Sequence, residues 1–102
     1  MESNDFLRME GRKIALVLDG KDNVAVVLAD VAEGDACVIR GLGEEYDLAA
    51  AEAVPFGHKV ALAALREGDP IYKYGEEIGV AREAIPRGGW IHSHNLYCER
   101  GM

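Results

Sequence analysis

The amino-acid sequence predicts a mainly β domain, built from short strands and tight glycine turns with at most short helical turns. Runs rich in Val, Ile and Leu alternate with turn-forming residues, which is the pattern of short strands. Glycine is frequent, with 12 copies in 102 residues, and several of the turns around it share one pattern. Helical periodicity is poor from Val60 onward. The length fits a single domain, for which one core is feasible.

The composition excludes several classes of protein. With 49% hydrophobic and 28% charged residues, the chain has the apolar content that a disordered chain lacks. Two cysteines are too few for a disulfide scaffold. The net charge of -7 opposes binding to nucleic acid, and the longest apolar stretch is too short to span a bilayer. With no signal segment at the start, these features predict a cytoplasmic protein with neither nucleic-acid nor membrane partners.

The negative charge is concentrated in the first half of the chain. Residues 1–51 contain 11 acidic and 5 basic residues, a net of -6, whereas residues 52–102 contain 7 and 6, a net of -1. The three histidines, His58, His92 and His94, all lie in the near-neutral half. That half is the less repulsive place for a small anion.

The first half of the chain is predicted to form strands around an Asp-Gly turn. Residues 1–11 show no period and are predicted to be a flexible tail, with the domain extending over 12–97. Lys13–Leu18 and Asn23–Leu28 are rich in Val, Ile and Leu, and Asp19-Gly20 between them is typical of a hairpin. Another strand is predicted at 36–40. The alanine- and acid-rich segment 46–54 could be helical by propensity, or extended beside other strands.

The second half of the chain has room for two short helical turns at most. Val60–Leu65 has room for one or two turns before a Gly-Asp-Pro sequence ends them, and Glu76–Ala84 has room for another. The last strand is predicted at Trp90–Asn95, and residues 98–102 are predicted to form a C-terminal tail.

Four segments of the chain read apolar-x-x-Gly-x-x-apolar. Each predicts a turn in which the first apolar residue enters the core, glycine takes a positive φ and the chain leaves as a strand. The four glycines are 23, 11 and 20 residues apart, and this irregular spacing argues against a solenoid. The segments begin at Val31, Val54, Leu65 and Ile85.

The predicted last strand contains the candidate for a metal or anion site. Alternate side chains of a strand share a face, so Trp90, His92 and His94 are predicted to project together. Two imidazoles at this spacing can share a metal ion or converge on an anion. A half-exposed pair of strand residues is the alternative interpretation. His58 leaves a glycine turn and could add a third ligand, but the sequence does not fix its distance from the pair.

Several other side chains have both a functional and a structural interpretation. Lys59 and Lys73 could clamp a carboxylate, or could be ordinary solvated lysines. Trp90 is predicted to pack in the core. Cys37 lies between apolar residues and is predicted to be a buried thiol, whereas Cys98 is predicted to be an exposed free thiol.

Three ordered motifs match one known family. The match also includes Asp22-Asn23-Val24-Ala25 and extends over about Lys13 to Leu96. The three motifs are Val54-Pro55-Phe56-Gly57-His58-Lys59-Val60-Ala61-Leu62, Lys73-Tyr74-Gly75-x-x-Ile78-Gly79 and Ile91-His92-Ser93-His94-Asn95-Leu96. In these motifs the chain resembles the SAF-type domain of the altronate and galactarate dehydratases, which also forms the small subunit of (2R)-sulfolactate sulfo-lyase. The resemblance implies a β-clip fold.

The resemblance also implies an activity. Enzymes of this family remove water, or sulfite in the sulfo-lyase, from an α-hydroxy acid of the sugar-acid type. The proton beside the carboxylate is abstracted, and the leaving group departs from the β carbon. A divalent metal such as iron or manganese is expected as a Lewis acid. The chain would then be a small subunit, or an excised N-terminal domain, that is inactive without a large dehydratase subunit and contains no assigned catalytic residue.

The same resemblance suggests residues for the site. The His-x-His-Asn ending matches the altronate and sulfolactate members better than the galactarate members, although the basic residue that usually follows arrives only at Arg100. Two alternatives stay open: the small subunit of a sulfolactate sulfo-lyase-type carbon–sulfur lyase, and a non-catalytic module that binds carbohydrate acids or braces a partner. The resemblance assigns His92 and His94 to the metal, and His58, Lys59, Lys73 and Asn95 to the hydroxy-acid substrate.

Overall fold

The computed structural model describes residues 12–98, and each regular element within them is a β-strand. The mainly β prediction is therefore confirmed. The predicted tails, 1–11 and 98–102, lie outside the described residues except for Cys98, and the domain boundaries stay a prediction. The strands are β1 (Arg12–Leu16), β2 (Val24–Val27), β3 (Ala36–Gly41), β4 (Glu44–Ala49), β5 (Lys59–Ala61), β6 (Pro70–Lys73), β7 (Glu76–Ala81), β8 (Trp90–Ile91) and β9 (Leu96–Tyr97).

The strands form two sheets. The larger has the order β4-β3-β1-β2-β5-β8 and the smaller the order β6-β7-β9. β1 and β3 run parallel, and the other paired strands run antiparallel. Successive side chains of a strand point to opposite faces. Val60 of β5 therefore packs in one hydrophobic core and Ala61 in a second, so the large sheet separates two cores.

The four predicted glycine turns are confirmed. Their glycines have φ values between 84° and 91°, which suits the third position of a type II turn. The turns face each other in pairs: Val31 and Val54 exchange two backbone hydrogen bonds, and so do Leu65 and Ile85. A hairpin lies between the turns of each pair, β3–β4 in the first and β6–β7 in the second. The chain thus contains two copies of one turn–hairpin–turn unit.

Strand β5 is shared by the two units. The N–H of Gly57 donates to the carbonyl of Val27 at the end of β2, and the N–H of Gly88 donates to the carbonyl of Ala61 at the end of β5. β2 and β5 therefore precede equivalent units. Because β5 also follows the last turn of the first unit, it ends one unit and begins the next.

The Asp-Gly hairpin is confirmed, and its loop ties the two units together. β1 and β2 pair antiparallel around the loop 17–23. Asp22 Oδ1 accepts a hydrogen bond from the N–H of Gly75 at 2.8 Å, and Asn23 Oδ1 accepts one from the N–H of Tyr72 at 2.8 Å. Asn23 Nδ2 donates to the carbonyl of Pro70 at 2.9 Å. Asp22 and Asn23 thus hold the β6–β7 hairpin in place.

Neither of the two segments with room for a short helical turn is helical. Val60–Leu65 contains the end of β5 followed by a bend, and Glu76–Ala84 begins with β7. β7 pairs with β6 on one side and β9 on the other, so its backbone groups are satisfied by neighbouring strands rather than by a helix. The segment 46–54, left open between helix and strand, begins in β4 and contains no helix.

The predicted last strand is also wrong in its length. β8 ends at Ile91, and a turn follows in which the N–H groups of Asn95 and Leu96 donate to the carbonyl of His92 at 3.1 and 3.0 Å. The side chain of Asn95 competes with strand pairing. Its Oδ1 accepts from the N–H of His92 at 3.0 Å, and its Nδ2 donates to the carbonyl of Trp90 at 2.8 Å.

The two cysteines are both free. Cys37 is fully buried as predicted, and burial raises the pKa of its thiol, with a smaller contribution from the negative charge of Asp35. Cys98 is half-buried rather than exposed. Residues 12–98 contain no helix that is long and apolar enough to cross a membrane.

Candidate functional site

The candidate site lies where the two units meet. β5 and β8 follow equivalent turns and pair antiparallel, with Lys59 opposite Ile91 and Val60 opposite Trp90. This pairing places His58, the residue before β5, beside Trp90. The indole Nε1–H of Trp90 donates to His58 Nδ1 at 3.0 Å.

Trp90 contacts all three histidines. Its ring centroid lies 5.7 Å from that of His58, 5.9 Å from that of His92 and 4.8 Å from that of His94. The His58 and His92 centroids are 4.3 Å apart. His92 and His94 thus do gather around Trp90 as predicted, but the turn held by Asn95 brings them there, not the alternation of a strand.

Two lysines extend the group of histidines: Lys59 interacts electrostatically with His92, and Lys73 with Lys59. Burial lowers the pKa of Lys59, and the positive charge of Lys73 lowers it further. Partial desolvation lowers the pKa of His92, although the residue is exposed, and His58, Lys59 and His94 add to this effect. Lys73 Nζ also lies 4.9 Å from the ring centroid of Tyr74, a cation–π contact. His58, Lys59, Lys73, His92 and His94 therefore form one group, which we call the basic cluster.

Glu52 supports the basic cluster through Trp90, and sequence reasoning does not identify it. The backbone N–H of Trp90 donates to Glu52 Oε2 at 3.0 Å. No pattern around Glu52 signals this contact, because it crosses from one unit to the other. Trp90 packs against a hydrophobic core, as predicted, and also contacts the two histidines with which it was predicted to project.

Asn95 lies beneath the basic cluster. It is 3% exposed, and both ends of its side-chain amide are engaged by the backbone of Trp90 and His92. This geometry favours a role for Asn95 in shaping the turn over direct contact with a substrate.

The basic cluster offers an incomplete set of metal ligands. Within residues 12–98, no three His, Cys, Asp or Glu side chains are grouped closely enough to hold a metal ion. His58 Nδ1 is already engaged by Trp90. The imidazoles of His92 and His94 are left, and a catalytic metal centre commonly takes three protein ligands. A metal ion bound here would therefore need further ligands from another chain or domain.

The basic cluster is open to solvent on one side, since His58, Lys59 and Lys73 are half-buried. His92 and His94 are exposed. A cavity of 140 Å³ lies elsewhere, lined by Val17, Ile39 and Leu62 among others, and contains no member of the cluster. Within residues 12–98 this arrangement can attract and orient an anion, while the exposed His92 and His94 leave that side open to water. This is the geometry of one half of a site.

Comparison with known proteins identifies a family that matches most of the chain. The altronate/galactarate dehydratase SAF domain matches residues 13–99. The chain is similar to the (2R)-sulfolactate sulfo-lyase subunit alpha of Paracoccus pantotrophus, with 41% identity over 64 residues that cover 63% of this chain and 96% of that subunit.

Two further relatives are much longer than this chain. The altronate dehydratase of Bacillus subtilis is 37% identical over 75 residues, which cover 74% of this chain and 14% of that enzyme. The galactarate dehydratase (L-threo-forming) of Escherichia coli is 41% identical over 70 residues, which cover 69% of this chain and 12% of that enzyme. The same unit is thus a separate subunit in one relative and a small part of a larger chain in the others. On this match the chain belongs to the altronate/galactarate dehydratase SAF domain family.

Proposed function

We propose that this chain is the small, SAF-domain component of a lyase that removes water from a sugar acid or related α-hydroxy acid. The observation that carries the proposal is the basic cluster, a group of five basic side chains, exposed at His92 and His94, on a chain of net charge -7. The sulfo-lyase and dehydratase relatives supply the reaction class. Because the cluster is open, the catalytic component is a larger partner that closes over it.

The substrate carboxylate is the natural ligand of the lysines. Lys59 and Lys73 repel each other, and an anion between them would relieve that repulsion while forming charge-assisted hydrogen bonds. His58 would contact the same end of the substrate from the start of β5. Asn95 would act by fixing the turn that carries His92 and His94.

The role of this chain in the reaction would be electrostatic. When the proton beside the carboxylate is removed, the electron pair of the C–H bond forms a C=C bond and the C–O bond at the β carbon breaks. The departing hydroxyl takes a proton and leaves as water, and the resulting enol becomes a 2-oxo acid. Fixed positive charge near the carboxylate stabilises the negative charge that builds there. The base and the acid would come from the partner.

His92 and His94 would supply two ligands to a divalent metal, iron or manganese, which the partner completes. When bound, such a metal acts as a Lewis acid on substrate oxygens. The two imidazoles fit this role only as part of a larger set, and this explains why the isolated chain would be inactive. The cytoplasmic location stays a prediction from the sequence.

A sulfo-lyase is the second candidate, and the match to a sulfo-lyase subunit, at 41% identity, favours it. The chain spans 96% of the sulfolactate sulfo-lyase subunit alpha, which is a separate small subunit. The chemistry differs only in the leaving group, which is sulfite instead of hydroxide. The same carboxylate contacts would serve both reactions.

Reconstitution with a large dehydratase subunit tests the proposal. The complex is given altronate, galactarate and sulfolactate, and the release of 2-oxo acid or sulfite is measured. We expect activity from the complex and none from either component alone. The double variant Lys59→Gln with Lys73→Gln should raise KM, whereas Lys21→Gln, in the exposed part of the loop 17–23, should not.

A separate variant tests whether His92 and His94 bind the metal. The variant with His92→Ala and His94→Ala should lower both the turnover and the metal content of the complex. Unchanged turnover and metal content would show that the two histidines are not metal ligands. Tight binding of sugar acids by this chain alone, without metal or partner, would instead favour a non-catalytic binding module.

A further inference from the structure

The hydrogen bond between Trp90 and His58 determines where the imidazole proton lies. An indole nitrogen is a donor only, so the 3.0 Å contact makes His58 Nδ1 the acceptor. A neutral imidazole has one donor nitrogen and one acceptor nitrogen. In this arrangement the proton of neutral His58 therefore lies on Nε2.

The indole that makes this bond is itself held firmly. The N–H of Trp90 donates to Glu52 Oε2 at 3.0 Å, and its carbonyl accepts from Asn95 Nδ2 at 2.8 Å. The ring lies nearly parallel to that of His92, at 8°. The N–H of His58 donates to the carbonyl of Pro55 at 3.0 Å, so the backbone on the other side is fixed as well.

We propose that Trp90 is a positioning residue that presents His58 Nε2–H as a hydrogen-bond donor and keeps His58 out of the metal-ligand set. A nitrogen that carries a proton has no lone pair for a metal ion, and the lone pair of Nδ1 is used by Trp90. His58 would thus donate to a substrate oxygen, while His92 and His94 stay available as ligands. The acceptor on the substrate rests on the proposed function, whereas the position of the proton does not.

Nuclear magnetic resonance of the full chain tests the position of the proton. The spectra are recorded at about pH 8.5, two units above the ordinary pKa of a free imidazole. A nitrogen–nitrogen coupling across the hydrogen bond should join Trp90 Nε1 to His58 Nδ1, and it should persist when Zn²⁺ is added as a diamagnetic probe. The absence of this coupling, a proton on His58 Nδ1, or loss of the coupling in Zn²⁺ would overturn the proposal.

The variant Trp90→Phe tests whether Trp90 is what keeps the proton of His58 on Nε2. Phenylalanine keeps an aromatic ring against the histidines but has no N–H. We expect a population of His58 with the proton on Nδ1 to appear, while the amide signals of Ile71 and Ala81, in the core that Trp90 does not pack against, stay unchanged. Retention of a single Nε2–H form in this variant would contradict a positioning role. If the variant does not fold, the coupling in the unmodified chain still decides the question.

A double-mutant cycle in the reconstituted complex tests whether Trp90 affects substrate binding through His58. His58→Gln keeps an N–H near the position of Nε2 and has no tautomers. Trp90→Phe should raise KM several-fold in the unmodified background and have no further effect in the His58→Gln background. Equal effects in the two backgrounds would show that Trp90 does not act through His58. A complex with no lyase activity would refute the proposed function and leave the resonance result standing.

Discussion

The lysines of the basic cluster repel each other before any ligand arrives. Burial already disfavours the charge on Lys59, and Lys73 adds to the penalty. The folded chain therefore holds the Lys59 proton less tightly than the unfolded chain does. Between the two pKa values stability rises with pH, and below both values the protonated Lys59 is destabilising. Like charges kept together at a cost to stability are typical of a binding site.

Removal of Lys73 should raise the pKa of Lys59. The variant Lys73→Gln eliminates the repulsion and leaves the burial of Lys59 in place, so the pKa should move towards its ordinary value without reaching it. The side-chain amine of Lys59 can be followed by nitrogen resonance across a pH titration. Lys21→Gln serves as the control and should leave this pKa unchanged. An unaltered pKa in Lys73→Gln would mean that the two lysines do not interact.

Asn95 should contribute to stability out of proportion to its size. Asn95→Ala removes both hydrogen bonds of the side chain and leaves the N–H of His92 and the carbonyl of Trp90 without that partner. We expect a loss of about 1–3 kcal/mol in the free energy of unfolding, measured in urea. Ser93→Ala, in the same turn but exposed, should be nearly neutral. Equal losses in both variants would contradict the role assigned to Asn95.

Individual site residues were only partly predictable from the sequence. The basic residues could be identified from their types and from motifs in their order along the chain. The bond from Trp90 to His58 could not, because it joins residues that are 32 positions apart. Glu52 was equally hidden, since its carboxylate acts on a backbone N–H of a distant strand.

At the scale of the elements, turns were predictable and strand limits were not. Glycine in an apolar-x-x-Gly pattern has a local reason to take a positive φ, and all four turns were found as predicted. The limits of β7 and β8 depend on their partners. β7 is extended because strands flank it on both sides, and β8 stops at Ile91 because Asn95 accepts a hydrogen bond from the N–H of His92, the next residue.

Two glycines at equivalent turn positions allow a matched test. Gly68 and Gly88 have φ values of 91° and 86°, so alanine at either position costs about 1–2 kcal/mol from backbone strain. A Cβ at Gly68 meets open space, whereas a Cβ at Gly88 would collide with the carbonyl oxygen of Ala49. Gly88→Ala should therefore lose a further ~1–3 kcal/mol in urea unfolding. Similar losses in the two variants would mean that the packing of Gly88 against β4 is not tight.

At the scale of the whole molecule, the structure shows that the four glycine turns form two pairs, which their spacing alone did not reveal. The intervals of 23 and 20 residues join the two turns of each unit, and the interval of 11 residues joins one unit to the next. The sequence could exclude a solenoid, but the pairing of turns depends on contacts across each hairpin. The basic cluster lies at the junction of the two units. The pairing of the turns therefore determines both the fold and the position of the site.

The sharing of β5 also makes this chain a natural subject for fragment complementation. A cut between the exposed Ala63 and Ala64 leaves β5 in the first fragment, while β8, which pairs with it, lies in the second. We expect fragments 1–63 and 64–102 to be unfolded separately and to reassemble when mixed. The single tryptophan, Trp90, lies in the second fragment, and its fluorescence would report docking against His58. An independently folded first fragment would show that β5 is needed by only one unit. If reassembly occurs, the basic cluster is rebuilt from two separate pieces of chain, and its formation can be started at will.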